Sequence, residues 1–125
     1  MNDIFIYIGS VVITLWGIGH LIPTKSIVNG FGEISEDNRC IITMEWIADG
    51  LTLCFIGLLV ISVKILTGPG NIVSTYVYMI SALMLLVLAG LSLFTVARTS
   101  IVPMKICPIV KLVVAVLFFQ GSGIY

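Results

Sequence analysis

The sequence predicts an all-α integral membrane protein, a bundle of four transmembrane helices. Three observations lead there. The 125 residues are 59% hydrophobic and 10% charged, with a mean hydropathy of +1.21, more apolar surface than a soluble domain of this length can hide. Four apolar stretches each reach the ~20 residues that a helix needs to cross a hydrocarbon core about 30 Å thick. Glycines, prolines and short polar runs separate those stretches.

The first stretch runs from about Ile4 to Ile22, and Pro23 closes it. No Lys or Arg precedes it, and it is too long for the apolar part of a cleaved signal, so it is expected to remain as a span. The second runs from about Ile41 to Leu66. Ser35 followed by Glu36 and Asp37 reads as an N-cap with acids in the first turn, so this helix is expected to begin near Glu36 and project beyond the membrane. Between the first two stretches, Ile27, Phe31 and Ile34 fall at i, i+4, i+7, the spacing of a short amphipathic piece on the interface. The third stretch runs from about Ile72 to Ala97, after the breaker Thr67-Gly68-Pro69-Gly70-Asn71. The fourth runs from about Pro103 to Tyr125; Pro103 suits a helix start, Pro108 bends or delays it, and Gly121, Ser122 and Gly123 loosen its end. Spans in a bilayer are helical, because an isolated strand leaves its backbone groups unpaired. The length accommodates one domain, residues 1–125.

Basic residues in short loops set orientation. Lys25 and Arg39 lie in the first loop, and Arg98 and Lys105 at the third. The opposite side has Lys64. The first and third loops are therefore expected in the cytoplasm, with both termini outside, in a multi-pass cell-membrane protein.

Ionisable groups inside a span cost a few kcal/mol each and turn toward protein or a cavity. Counting about 1.5 Å per residue puts Asp49 and Lys111 both about 12 Å deep in the same half of the bundle. His20 and Glu45 lie nearer that surface. Asn38, Glu45, Asp49 and Thr52 share one sector of the second helix at about 100° per residue, and Ser92 comes close in depth from the third. His20, Glu45, Asp49, Thr52, Ser92 and Lys111 are thus the candidate polar pocket, with a dry plug beneath it. Bland alternatives stand beside this reading: Lys111 snorkelling to the interface, the acids pairing with Lys111, Lys105 or Arg39 to lock the bundle, and His20 as an interfacial hydrogen-bonding residue. Trp16 and Trp46 read as packing or interface anchors.

Several chemistries lose support. One histidine cannot make a bis-His haem, and no carboxylate–His spacing suits a di-metal bundle. Cys40, Cys54 and Cys107 form no C-x-x-C pair, which argues against a zinc site, a disulfide framework or a thiol relay. Zero formal net charge without a basic arm removes nucleic acid as a partner.

Two segments together resemble the DoxX-like family of small four-helix membrane proteins. The first is Gly17-Ile18-Gly19-His20-Leu21-Ile22-Pro23, followed by Val28 and Phe31. The second is Met44-Glu45-Trp46-Ile47-Ala48-Asp49-Gly50-Leu51-Thr52-Leu53, followed by Gly57-Leu58-Leu59. The likeness covers about half the chain, and Asp49 is additional to the family pattern. It implies an accessory or membrane-anchor subunit of a larger, quinone-linked redox complex, or an assembly factor, and transfers no catalytic motif. The residues leave two other functions open: a small proton- or cation-coupled transporter or channel with Glu45 and Asp49 as ligands, and an intramembrane enzyme acting on a lipid or quinone. The outer half offers little polar path beyond Tyr7, Tyr76, Tyr78 and Ser81, which weighs against transport. The partners expected are the lipid bilayer and another membrane protein or a second copy of the chain. A quinone or lipid is the expected ligand class.

Overall fold

A computed structural model describes residues 2–124. Its long helices are α1 (Asn2–Leu21), α3 (Glu36–Leu66), α4 (Ile72–Phe94) and α5 (Val102–Gly121), with a short α2 (Thr24–Asn29) and a 3₁₀ turn at Val96–Arg98. Each of the four long helices, the third extended through that turn, is long and apolar enough to span a membrane. The chain is a multi-pass, all-α membrane protein packed as a four-helix bundle.

The helix ends follow local chemistry. Ser35 Oγ accepts from the Asn38 N–H, so α3 starts at Glu36 as the capping sequence predicts. At 31 residues it is about 46 Å long, more than a bilayer core requires. Asn71, read from sequence only as part of a breaker, caps α4 by accepting from Val73 N–H and Ser74 N–H. Three boundaries differ from the sequence reading. α4 ends at Phe94, because Thr95 leaves helical geometry at φ −121°, ψ −90°. α5 ends at Gly121, with Gly123 at φ +76°, and Tyr125 lies outside the described residues. The amphipathic piece shrinks to the six residues of α2: Val28 is buried, but Phe31 and Ile34 lie beyond the helix, which gives way at Gly30 and the left-handed Gly32. Pro108 sits inside α5 without delaying its start.

α1 packs most closely on α3 and also on α5, α4 packs on α5, and α3 and α4 touch only sparsely although consecutive in the chain. The α1–α3 seam is close because it is lined by glycine. A Cβ on Gly17 would stand 2.8 Å from the Gly50 carbonyl oxygen and 2.9 Å from the Cys54 nitrogen, and one on Gly57 would stand 2.7 Å from the Ser10 carbonyl oxygen. Lipid tails are as apolar as leucine, so dispersion contacts at such seams hold spanning helices together. Ile13, Leu53, Leu85 and Val114, one from each long helix, are all fully buried and form a dry layer across the middle.

Candidate functional site

On α3, Gly50, Cys54 and Gly57 face α1. Asp49 lies about 100° round from Gly50, on the flank toward α4, and Glu45 and Thr52 lie farther along that flank. From this position Asp49 Oδ2 comes 3.3 Å from His20 Nε2 on α1 and 3.9 Å from Lys111 Nζ on α5. Lys111 Nζ donates to Ser92 Oγ on α4 at 2.7 Å. Each long helix thus contributes one polar group to a single network.

Burial is uneven. The Lys111 side chain is 2% exposed and that of His20 10%, whereas Asp49 keeps 32% and is the outermost member. The geometry rules out snorkelling for Lys111: its amine ends in the interior, on a hydroxyl and beside a carboxylate. The lysine has three donors, and the described structure gives one of them a hydrogen bond. His20 Nε2 is buried without a hydrogen-bond partner, since the approach to Asp49 lacks the alignment that a bond needs.

His20 is held from the other side. Its ring stacks on Trp46 with centroids 3.9 Å apart and planes 14° from parallel, and the indole N–H donates to the His20 carbonyl oxygen at 2.8 Å. The indole therefore satisfies a carbonyl at the end of α1, where no further helical turn can. Sequence reading took Trp46 for an anchor; its partner depends on the α1–α3 packing and carries no local signal.

The structure does not bring Glu45 or Thr52 into the network. Glu45 is exposed, and the Thr52 hydroxyl donates to the Ala48 carbonyl oxygen of its own helix at 2.7 Å. Both lie on the flank that α4 leaves open. Among the described residues, no three His, Cys, Asp or Glu side chains converge where a metal could sit. The chemistry on offer is hydrogen-bond donation from His20 and Lys111 and acceptance by Asp49 and Ser92.

Sequence reading missed polar groups at the opposite end, where Lys64 Nζ meets Asp3 Oδ1 at 2.6 Å and Thr67 and Ser74 share a hydroxyl–hydroxyl bond of 2.7 Å. The Tyr78 hydroxyl nearby is buried without a partner, as is that of Ser10. The signal available was positional: Asp3 opens the first span and Lys64 closes the second, which places them at one end of an antiparallel pair. The three cysteines are free, with Cys40 exposed and Cys107 buried.

No protein-family model matches the chain, and neither a curated protein nor a solved structure matches it. Fold and composition define a small four-span membrane protein in contact with lipid.

Proposed function

We infer that the chain works as an accessory membrane subunit of a larger complex, folding as one unit over its whole length, with an interior site for the polar head of a membrane-soluble ligand. The observation that carries this reading is the four-helix network around a fully buried Lys111, one donor set incompletely filled and open on the α3–α4 flank. A ligand arriving from the bilayer reaches that flank without crossing the membrane. The dry layer of Ile13, Leu53, Leu85 and Val114 beneath the network weighs against a conduit for ions, because a charge crossing it would lose its partners. The resemblance to DoxX-like proteins supports the accessory role and suggests a redox partner; it rests on the two segments quoted above.

The network end is assigned to the cytoplasm by the basic residues of its loops, Lys25, Arg39, Arg98 and Lys105. Affinity purification in mild detergent, with mass spectrometry of co-purifying proteins and small molecules, tests the function. A stable membrane partner supports the accessory role, and a preparation that is monomeric and active alone would end it. For orientation, cysteines introduced at Ser35 and Asn71 are expected to label from opposite sides, Asn71 from outside.

A further inference from the structure

The network leaves donors unfilled. Lys111 brings three N–H groups, of which Ser92 takes one. Asp49 lies beyond hydrogen-bond length from that amine, and His20 Nε2 approaches Asp49 Oδ2 at 3.3 Å without an aligned hydrogen bond. Buried donors without acceptors are costly, and those of a charged amine most of all. The unfilled positions converge, because both nitrogens approach the same oxygen, Asp49 Oδ2, from two different helices. The site is one acceptor short, beside Asp49 and between His20 and Lys111.

We propose that the missing acceptor is an oxyanion on an acyl chain, a carboxylate or phosphate head group held between His20 Nε2 and Lys111 Nζ. This deepens the interior-site reading above and rests on it. Donor chemistry supports an oxyanion: Lys111 has two N–H groups beyond the one given to Ser92, and Asp49 stands past hydrogen-bond length from that amine. The packing supports an amphiphile over a free ion. Asp49 is the one member of the network substantially open to the outside, and it opens on the flank where α3 and α4 barely touch. A head group entering there leaves its chain along an apolar seam. Below the site the fully buried Leu53 and Leu85 close the interior, so the chain has no path inward. His20 is fixed for the task from behind by the Trp46 stack and indole hydrogen bond.

The stack also supplies the readout. With Trp16→Phe, Trp46 is the one remaining tryptophan of the two in the chain, and its emission reports on the His20 ring it covers. The full chain, delipidated in a non-ionic detergent, is titrated with oleate and dioleoyl-phosphatidate, each against methyl oleate, acetate and inorganic phosphate. Saturable changes with oleate or phosphatidate alone are expected; which of the two binds more tightly identifies the head group. Lys111→Met should weaken binding by roughly tenfold or more, and Lys111→Arg should keep most of it. If Lys111→Met does not fold, His20→Gln serves as the second variant, with a weaker loss in the same direction. Methyl oleate acting as well as oleate removes the oxyanion from the proposal. Acetate or phosphate binding as tightly removes the acyl chain. A short-chain neutral quinone that shifts Trp46 where oleate does not overturns this proposal and leaves the interior-site reading standing. No response to any of these probes ends both.

Discussion

Each end of the bundle sets a lysine beside an aspartate, and the two pairs are built in opposite ways. Lys64 and Asp3 meet at 2.6 Å, but the Asp3 side chain is 64% exposed. Lys111 and Asp49 stand farther apart, at 3.9 Å, with the lysine 2% exposed. Distance alone would rank the first pair as the stronger. Burial reverses the order, because each member of the second pair is more covered than its counterpart, 2% against 13% for the lysines and 32% against 64% for the aspartates, so water and salt screen it less. The pair at the end holding both termini is a tether between α1 and α3. The other is part of a network that all four long helices must assemble to complete. Polar groups in this bundle matter in proportion to how many helices they oblige to meet.

The sharpest way to break that comparison is to strand a charge. Asp49→Ala leaves Lys111 buried with only Ser92, and a buried ion losing its partner costs about 3–5 kcal/mol. Asp49→Ala combined with Lys111→Ala should recover part of that loss. A double-mutant cycle by denaturation in detergent measures the coupling, and strictly additive losses would show that the 3.9 Å approach contributes nothing.

The next effect tests the glycine seam that brings α1 and α3 close enough to share His20 and Asp49. Gly57→Ala places a Cβ 2.7 Å from the Ser10 carbonyl oxygen and against the Thr14 side chain. Backbone cannot yield as a flexible side chain can, so a loss of about 1–3 kcal/mol is expected. Gly90→Ala on α4 is the control: nothing lies within 4 Å of its added Cβ, and the gain in helix propensity should leave stability unchanged or raise it by up to ~1 kcal/mol. Equal thermal midpoints for the two variants would refute the seam.

Trp46→Phe separates stacking from hydrogen bonding at the network end. Phenylalanine keeps an aromatic face for His20 but loses the 2.8 Å bond to its carbonyl. The expected cost is about 0.5–1.5 kcal/mol, with a larger loss for Trp46→Ala, which removes both. If Trp46→Phe proves as harmful as Trp46→Ala, the hydrogen bond and not the stack orients His20.

How much of this was legible in the sequence differs along the chain. Rise per residue put Asp49 and Lys111 at one depth and Ser92 near it, and the structure joins all three, since depth is a local property of each helix. The angular sector that grouped Glu45 and Thr52 with Asp49 is equally local, yet whether a flank is covered depends on the neighbouring helix. α4 leaves that flank open, so Glu45 stays exposed. The Trp46–His20 stack and the fit of Gly17 against Gly50 join residues on different helices and depend on how α1 packs against α3, which no single-helix pattern encodes. Ser10 and Gly17, like Gly50 and Gly57, are seven residues apart, a small-residue spacing that marks one face of each helix and could have pointed to the seam.

The smallest effect expected is at the exposed pair, and it is the one that tests the role of burial most directly. Asp3→Asn removes the charge facing Lys64 while keeping the side chain's size. The Asp3 side chain is 64% exposed, so the wild-type chain should exceed Asp3→Asn in stability by only a small increment. High salt should erase the difference between the two proteins, because the pair is open to solvent. The Asp49 variants compared in the same salt series should keep theirs. A salt-resistant effect at Asp3 as large as that at Asp49 would mean that burial does not decide the ranking of the two ends.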